Sequence, residues 1–220
     1  MNTLEIRNIK ISNNYENECF FIDGIPMHEY MEKWVEASDK RNYLRDFTPL
    51  DDFALTWKGS FDNDGDARFM RWLMEKDKLN IPILSCSDDM DFSCIVIVTE
   101  TEKTDKYVYW KRIGMIDHAN ESHKQEKEYG IVFADSYTDE DWEKYADAAL
   151  MPVDSIEWRE WISANWSEEL FRRRINYTYH YYQDDRNIKW LCECNWCFDR
   201  TAYDRLAASC IPKWCMDKDE

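Results

Sequence analysis

The stretch IPILSCSDDMDFSCIVIVTETEKTDKYVYWKRI, residues 81–113, decides the fold. It holds three apolar runs: IPILSC (81–86), CIVIVTE (94–100) and YVYWKRI (107–113). Each is short, rich in β-branched or aromatic side chains and bounded by polar residues, which is the pattern of strands. CIVIV is continuously apolar, as a strand covered on both faces must be. YVYWKRI alternates apolar with polar, as a more exposed neighbour does. The TEKTDK link is short, so the economical arrangement is a three-stranded meander with CIVIV in the middle. Cys86 and Cys94 then lie near the mouth of the SDDMDFS loop, where they can face each other.

Outward from this meander, LEIRNIKI (4–11) alternates like a half-buried strand, and ECFFI (18–22) is a second strand ended by the Asp23-Gly24 turn signal. After Pro26, Met27, Tyr30, Met31 and Trp34 fall at helical spacing. Residues 38–66 are polar and irregular apart from FALTW (53–57). ARFMRWLMEKD places Phe69, Trp72 and Leu73 on one helix face. GIVF (130–133) suits a further strand. The run from Thr138 to Met151 opens with a threonine and carboxylates, which is helix N-terminal chemistry. Beyond Pro152, Trp158, Trp161, Ile162 and Trp166 repeat helically. Ser167 signals a second N-cap, and INYTYHYYQDD is read as helix on length. The last 30 residues hold five of the eight cysteines. The expected class is α+β: an N-terminal antiparallel sheet flanked by helices in a mixed domain, 1–151, and a mostly helical Trp- and Cys-rich region, 152–220.

The chain has 45 acidic and 28 basic residues, for a net charge of −17. Such a field repels phosphates and speeds encounter with basic partners. Direct nucleic-acid binding is therefore not expected; Arg172, Arg173 and Arg174 are the one local basic cluster. No apolar run approaches the roughly 20 residues that span a bilayer. MNTLEIRNIK has no basic flank followed by an apolar stretch, so it is not read as a secretory signal. A reducing cytoplasm is expected, with cysteines as thiols. The 11 Trp, 13 Tyr and 10 Phe supply core, and any exposed ones would suit a protein-binding face.

Local chemistry gives little else. FDNDGD (61–66) fails the calcium-loop pattern, because counting from Asp62 puts Gly65 at position 4 and Leu73 at position 12. CECNWC (192–197) with Cys210 and Cys215 lacks the tight second pair of a zinc ribbon. A helix starting at Trp190 would put only Cys194 and Cys197 on one face. Those cysteines are read as small buried apolar groups. Cys86 and Cys94 have three aspartates nearby but no histidine. His28, His118, His123 and His180 form no metalloprotease pattern, and five glycines offer no phosphate cradle. No metal, cofactor or catalytic residue is expected. The alternative is a metal- or thiol-dependent enzyme using the C-terminal cysteines.

IPILSCSDDMDFSCIVIV followed by YVYW resembles a widespread set of uncharacterised bacterial proteins. They carry PIL-C, a short acidic or Gly-rich loop, a second Cys with an apolar strand, and V-W on the next strand. GIVFADSY (130–137) is similar to a later segment of theirs, and the similarity spans roughly residues 60–150. In those proteins the loop is often richer in Cys and Gly. Here it carries Asp88, Asp89 and Asp91, which argues against a shared metal site. Members often occur beside bacterial toxins. The resemblance therefore implies an immunity protein of a polymorphic or contact-dependent growth inhibition system, non-catalytic, occluding one cognate toxin C-terminal domain. A basic nuclease, a ribonuclease above all, would suit the charge. The expected contact residues are Asp88, Asp89 and Asp91, then Asp62 and Asp64, with Tyr177 and Tyr181 on the C-terminal helices as an alternative face.

Overall fold

The three runs form the middle of a five-stranded antiparallel sheet. The computed structural model describes residues 1–12, 15–37, 52–58, 61, 63–118 and 137–210. In chain order its elements are β1 (Leu4–Ser12), β2 (Tyr15–Ile22), β3 (Ile25–Pro26), α1 (Met27–Ala37), β4 (Phe53–Leu55), α2 (Asp64–Met74) and β5 (Lys78–Cys86). There follow β6 (Val96–Lys103), β7 (Tyr107–Ile116), α3 (Asp139–Ala149), α4 (Ile156–Arg173), a π-helical turn (Arg174–Thr178), α5 (Tyr179–Gln183), β8 (Ile188–Asp199) and α6 (Arg200–Cys210). β1, β2 and β3 make a separate three-stranded antiparallel sheet. The large sheet runs β4-β5-β6-β7-β8. GIVF (130–133) lies outside the described residues.

β6 is the central strand, as its composition requires. Val96, Ile97 and Val98 are all fully buried. Consecutive residues point to opposite faces, so both faces of β6 are covered. Phe20 of β2 and Trp57 meet Trp110 of β7 edge-on, at centroid distances of 5.7 and 6.0 Å. Tyr203 of α6 joins them, and its hydroxyl accepts from Trp110 Nε1 at 3.2 Å. These rings tie the small sheet, β7 and α6 into one apolar core. Around β5, the Asn80 side chain donates to the Tyr182 carbonyl of α5 at 3.0 Å.

The C-terminal region is not plainly mostly helical, because a twelve-residue strand interrupts its helices. The helix expected from Trp190 is strand β8, which pairs with β7 from Tyr107↔Asp199 to Ile116↔Ile188. Long-range pairing overrides local reading here. Gly114 marks the junction. A Cβ there would meet Ile188 Cγ2 at 2.5 Å and Trp190 Cε3 at 2.8 Å. The two helices expected before Arg174 meet at a kink within α4, which is capped by Ser155, whose hydroxyl accepts from Trp158 N–H at 3.1 Å. It kinks at Asn165 (φ −117°, ψ 16°), whose side chain donates to the Trp161 carbonyl at 2.9 Å. That local bond competes with regular helix geometry. INYTYHYYQ is helical as expected, but its first four residues belong to the π-helical turn.

Candidate functional site

The loop between β5 and β6 is held at both ends. Cys86 N–H donates to the Ile95 carbonyl at 3.0 Å, and the Cys86 carbonyl accepts from Met90 N–H at 3.1 Å. Ser87 N–H donates to the Asp52 carbonyl at 3.0 Å. Met90 has φ +44°, a left-handed conformation that costs a non-glycine residue roughly 1–2 kcal/mol. The loop then turns inward, and Phe92 is fully buried. Its ring packs on Phe61 at 4.9 Å and Phe69 at 5.5 Å, and its carbonyl accepts from the Tyr182 hydroxyl at 2.9 Å. Phe92 thus anchors a fixed tip rather than a floppy one.

The three loop aspartates have different surroundings. Asp88 and Asp89 are exposed. Asp91 is half-buried and accepts from Ser93 N–H and Oγ, both at 2.7 Å. It closes the turn that aims Phe92 inward. Asp64 is half-buried in the first turn of α2, where the Asn63 side chain caps by accepting from Asp66 N–H at 2.8 Å. FDNDGD is thus a loop running into a helix start. Asp62 lies outside the described residues.

The two acidic segments meet on one buried cation. Arg174, in the π-helical turn, binds Asp66 through Nε at 2.5 Å and Nη2 at 3.1 Å. Its guanidinium stands 5.4 Å from the Phe92 ring centroid. Both partners are essentially inaccessible, with side chains 2% and 0% exposed. The neighbouring arginines are occupied too. Arg173 pairs with Glu169 at 3.1 Å, and Arg172 with Asp141 at 2.9 Å and Glu168 at 3.0 Å. The basic cluster therefore ties α2, α3 and α4 together and presents no cationic patch. Tyr177 is half-buried in the same π-helical turn. Tyr181 is half-buried in α5, and its hydroxyl donates to the Asp117 carbonyl. Phe92, Asp66 and Arg174, which build this end of the molecule, escaped the sequence reading. The available signals were Phe92 inside a mostly polar loop and the run of arginines at 172–174.

Exposed apolar side chains concentrate elsewhere. Leu150, Val153 and Ile156, at the α3–α4 junction, are 82%, 61% and 72% exposed, and Trp142 of α3 is 41% exposed. Asp139, Glu140, Glu143 and Asp147 are exposed on α3, and Glu157 and Glu160 on α4.

The cysteines divide into two groups. Cys86 Sγ, a carboxylate oxygen of Asp89 and Cys94 Sγ all lie within 4.8 Å of one another. Among the described residues this is the one such group of three metal-ligating side chains. Burial pushes the Cys94 thiol up to about 12, helped by Asp89 and Cys86 beside it. On β8, burial pushes Cys192 up to about 12 and Cys194 up to about 11. Protonated, half-buried thiols are poor nucleophiles. Compared with known proteins, the chain matches no protein family, no curated protein and no solved structure.

Proposed function

We propose that this chain is an immunity protein that binds and neutralises a cognate toxin domain, a basic nuclease, by covering its active site. The observation that carries the reading is the net charge of −17, with Asp88 and Asp89 exposed on a loop fixed by Phe92. A preorganised acidic tip loses little freedom on docking, and its field accelerates encounter with a phosphate-binding surface. The raised thiols of Cys192 and Cys194 make these two poor nucleophiles for the competing reading, a metal- or thiol-dependent enzyme using the C-terminal cysteines.

The α3–α4 hairpin is a second docking face for the same activity, because it joins exposed carboxylates to Trp142, Leu150, Val153 and Ile156. Apolar anchors surrounded by charge are what tight interfaces use. The test is co-production with any candidate toxin domain that the neighbouring genes encode. Protection of the cells and a one-to-one complex support the proposal. Asp88→Lys weakening the complex assigns the loop; Trp142→Ala and Leu150→Ala weakening it assigns the hairpin. Cells that die despite folded protein, with no complex in vitro, overturn it.

A further inference from the structure

Cys86, Asp89 and Cys94 stand in a C-x2-D-x4-C spacing that the sequence reading set aside for want of a histidine. The fold supplies what spacing alone did not. The Met90-to-Cys86 backbone bond folds the loop back over the end of β5, and the Cys86-to-Ile95 bond brings the two strand ends together. As a result the two sulfurs and the carboxylate converge within 4.8 Å. Around a tetrahedral zinc ion with Zn–S of about 2.3 Å, neighbouring ligand atoms are spaced about 3.8 Å apart. The required contraction is small, and the backbone that positions the three groups is already fixed at Phe92.

We propose that Cys86, Asp89 and Cys94 form a zinc-binding site, with water as the fourth ligand. Two thiolates favour zinc over the hard cations calcium and magnesium, and the carboxylate matches its borderline character. Binding replaces the thiol protons, which pass to solvent, and involves no change of oxidation state. Cys86 is buried, Cys94 half-buried and Asp89 exposed, so the open position faces outward on the side of Asp89. The ion clamps the stem of the loop that carries Asp88. This inference concerns metal binding alone and stands or falls independently of the toxin partner.

The test uses the full chain, reduced and stripped with chelator. Cobalt(II) is titrated in as a spectroscopic probe, then displaced by zinc. The expected result is one equivalent of cobalt with a thiolate-to-metal charge-transfer band. The band is lost in Cys86→Ser and Cys94→Ser and kept when Cys192 and Cys194 are both replaced by Ser. Because the Cys86 variant can fold poorly, Asp89→Asn is the second arm. Its side chain is exposed, so circular dichroism should not change, while zinc affinity falls by about tenfold or more, at least the loss typical of a ligand's supporting residue. Absence of saturable uptake by the reduced wild-type chain overturns the site. So does a band that survives Cys94→Ser, or an affinity unchanged in Asp89→Asn.

Discussion

Phe92 is the one aromatic residue in the acidic loop SDDMDFS, and it determines what that loop is. A reading by composition sees three carboxylates on a solvated tip. The ring's burial against Phe61, Phe69 and Arg174 makes the tip part of the core. Phe92→Ala should cost about 3–5 kcal/mol, the range for a truncated core phenylalanine, in a denaturant melt. Arg174 carries a second prediction. Arg174→Met leaves Asp66 buried without its cation, and breaking such a pair costs roughly 3–5 kcal/mol. Adding Asp66→Leu should recover most of that loss, because the stranded charge is gone. Failure of the double variant to improve on the single one would place the penalty in packing instead. The exposed Asp88 was legible in the sequence. The different lot of Asp91 was not, since its bonds to Ser93 depend on a turn that only the Phe92 anchor explains.

At the scale of elements, the meander was legible because its signals are local: short β-branched runs, polar links and a fully apolar middle strand. β8 was not. CECNW does alternate, but the pairing that makes it part of a strand lies with β7, some 80 residues earlier, and shifts register twice, at Trp110/Arg112 and at Ile113/Gly114. A second close approach joins α2 to α4. A Cβ at Gly65 would meet the Ser167 carbonyl oxygen at 2.6 Å and Leu170 Cβ at 2.9 Å. Backbone on a neighbouring helix cannot swing aside as a side-chain tip can. Gly65→Ala should therefore destabilise by about 1–3 kcal/mol, the usual cost of overpacking, although alanine is the better helix former. A melting temperature at or above wild type would show that the two helices separate more easily than this contact implies.

The whole molecule is acidic, but its internal arginines hold their carboxylates tightly. Burial raises the Glu168 carboxyl, yet the hydrogen bond from Arg68 and the charges of Arg68, Arg172 and Lys144 outweigh it and hold the group below its usual value near 4.5. A depressed carboxylate stabilises the fold above its ordinary value and stops doing so as pH falls through its lowered one. Glu168→Gln should thus lower stability at neutral pH and lose less than wild type between about pH 5 and pH 3. Thermal melts across that window check the sign.

The net charge makes the functional account a statement about rates. The most direct measurement is stopped-flow association of the full chain with the proposed cognate toxin domain, across a salt series. The account predicts a one-to-one complex whose association rate falls by about tenfold or more from low to high salt and is slowed further by charge reversal at the docking face. No complex, or an association rate indifferent to salt, would contradict it.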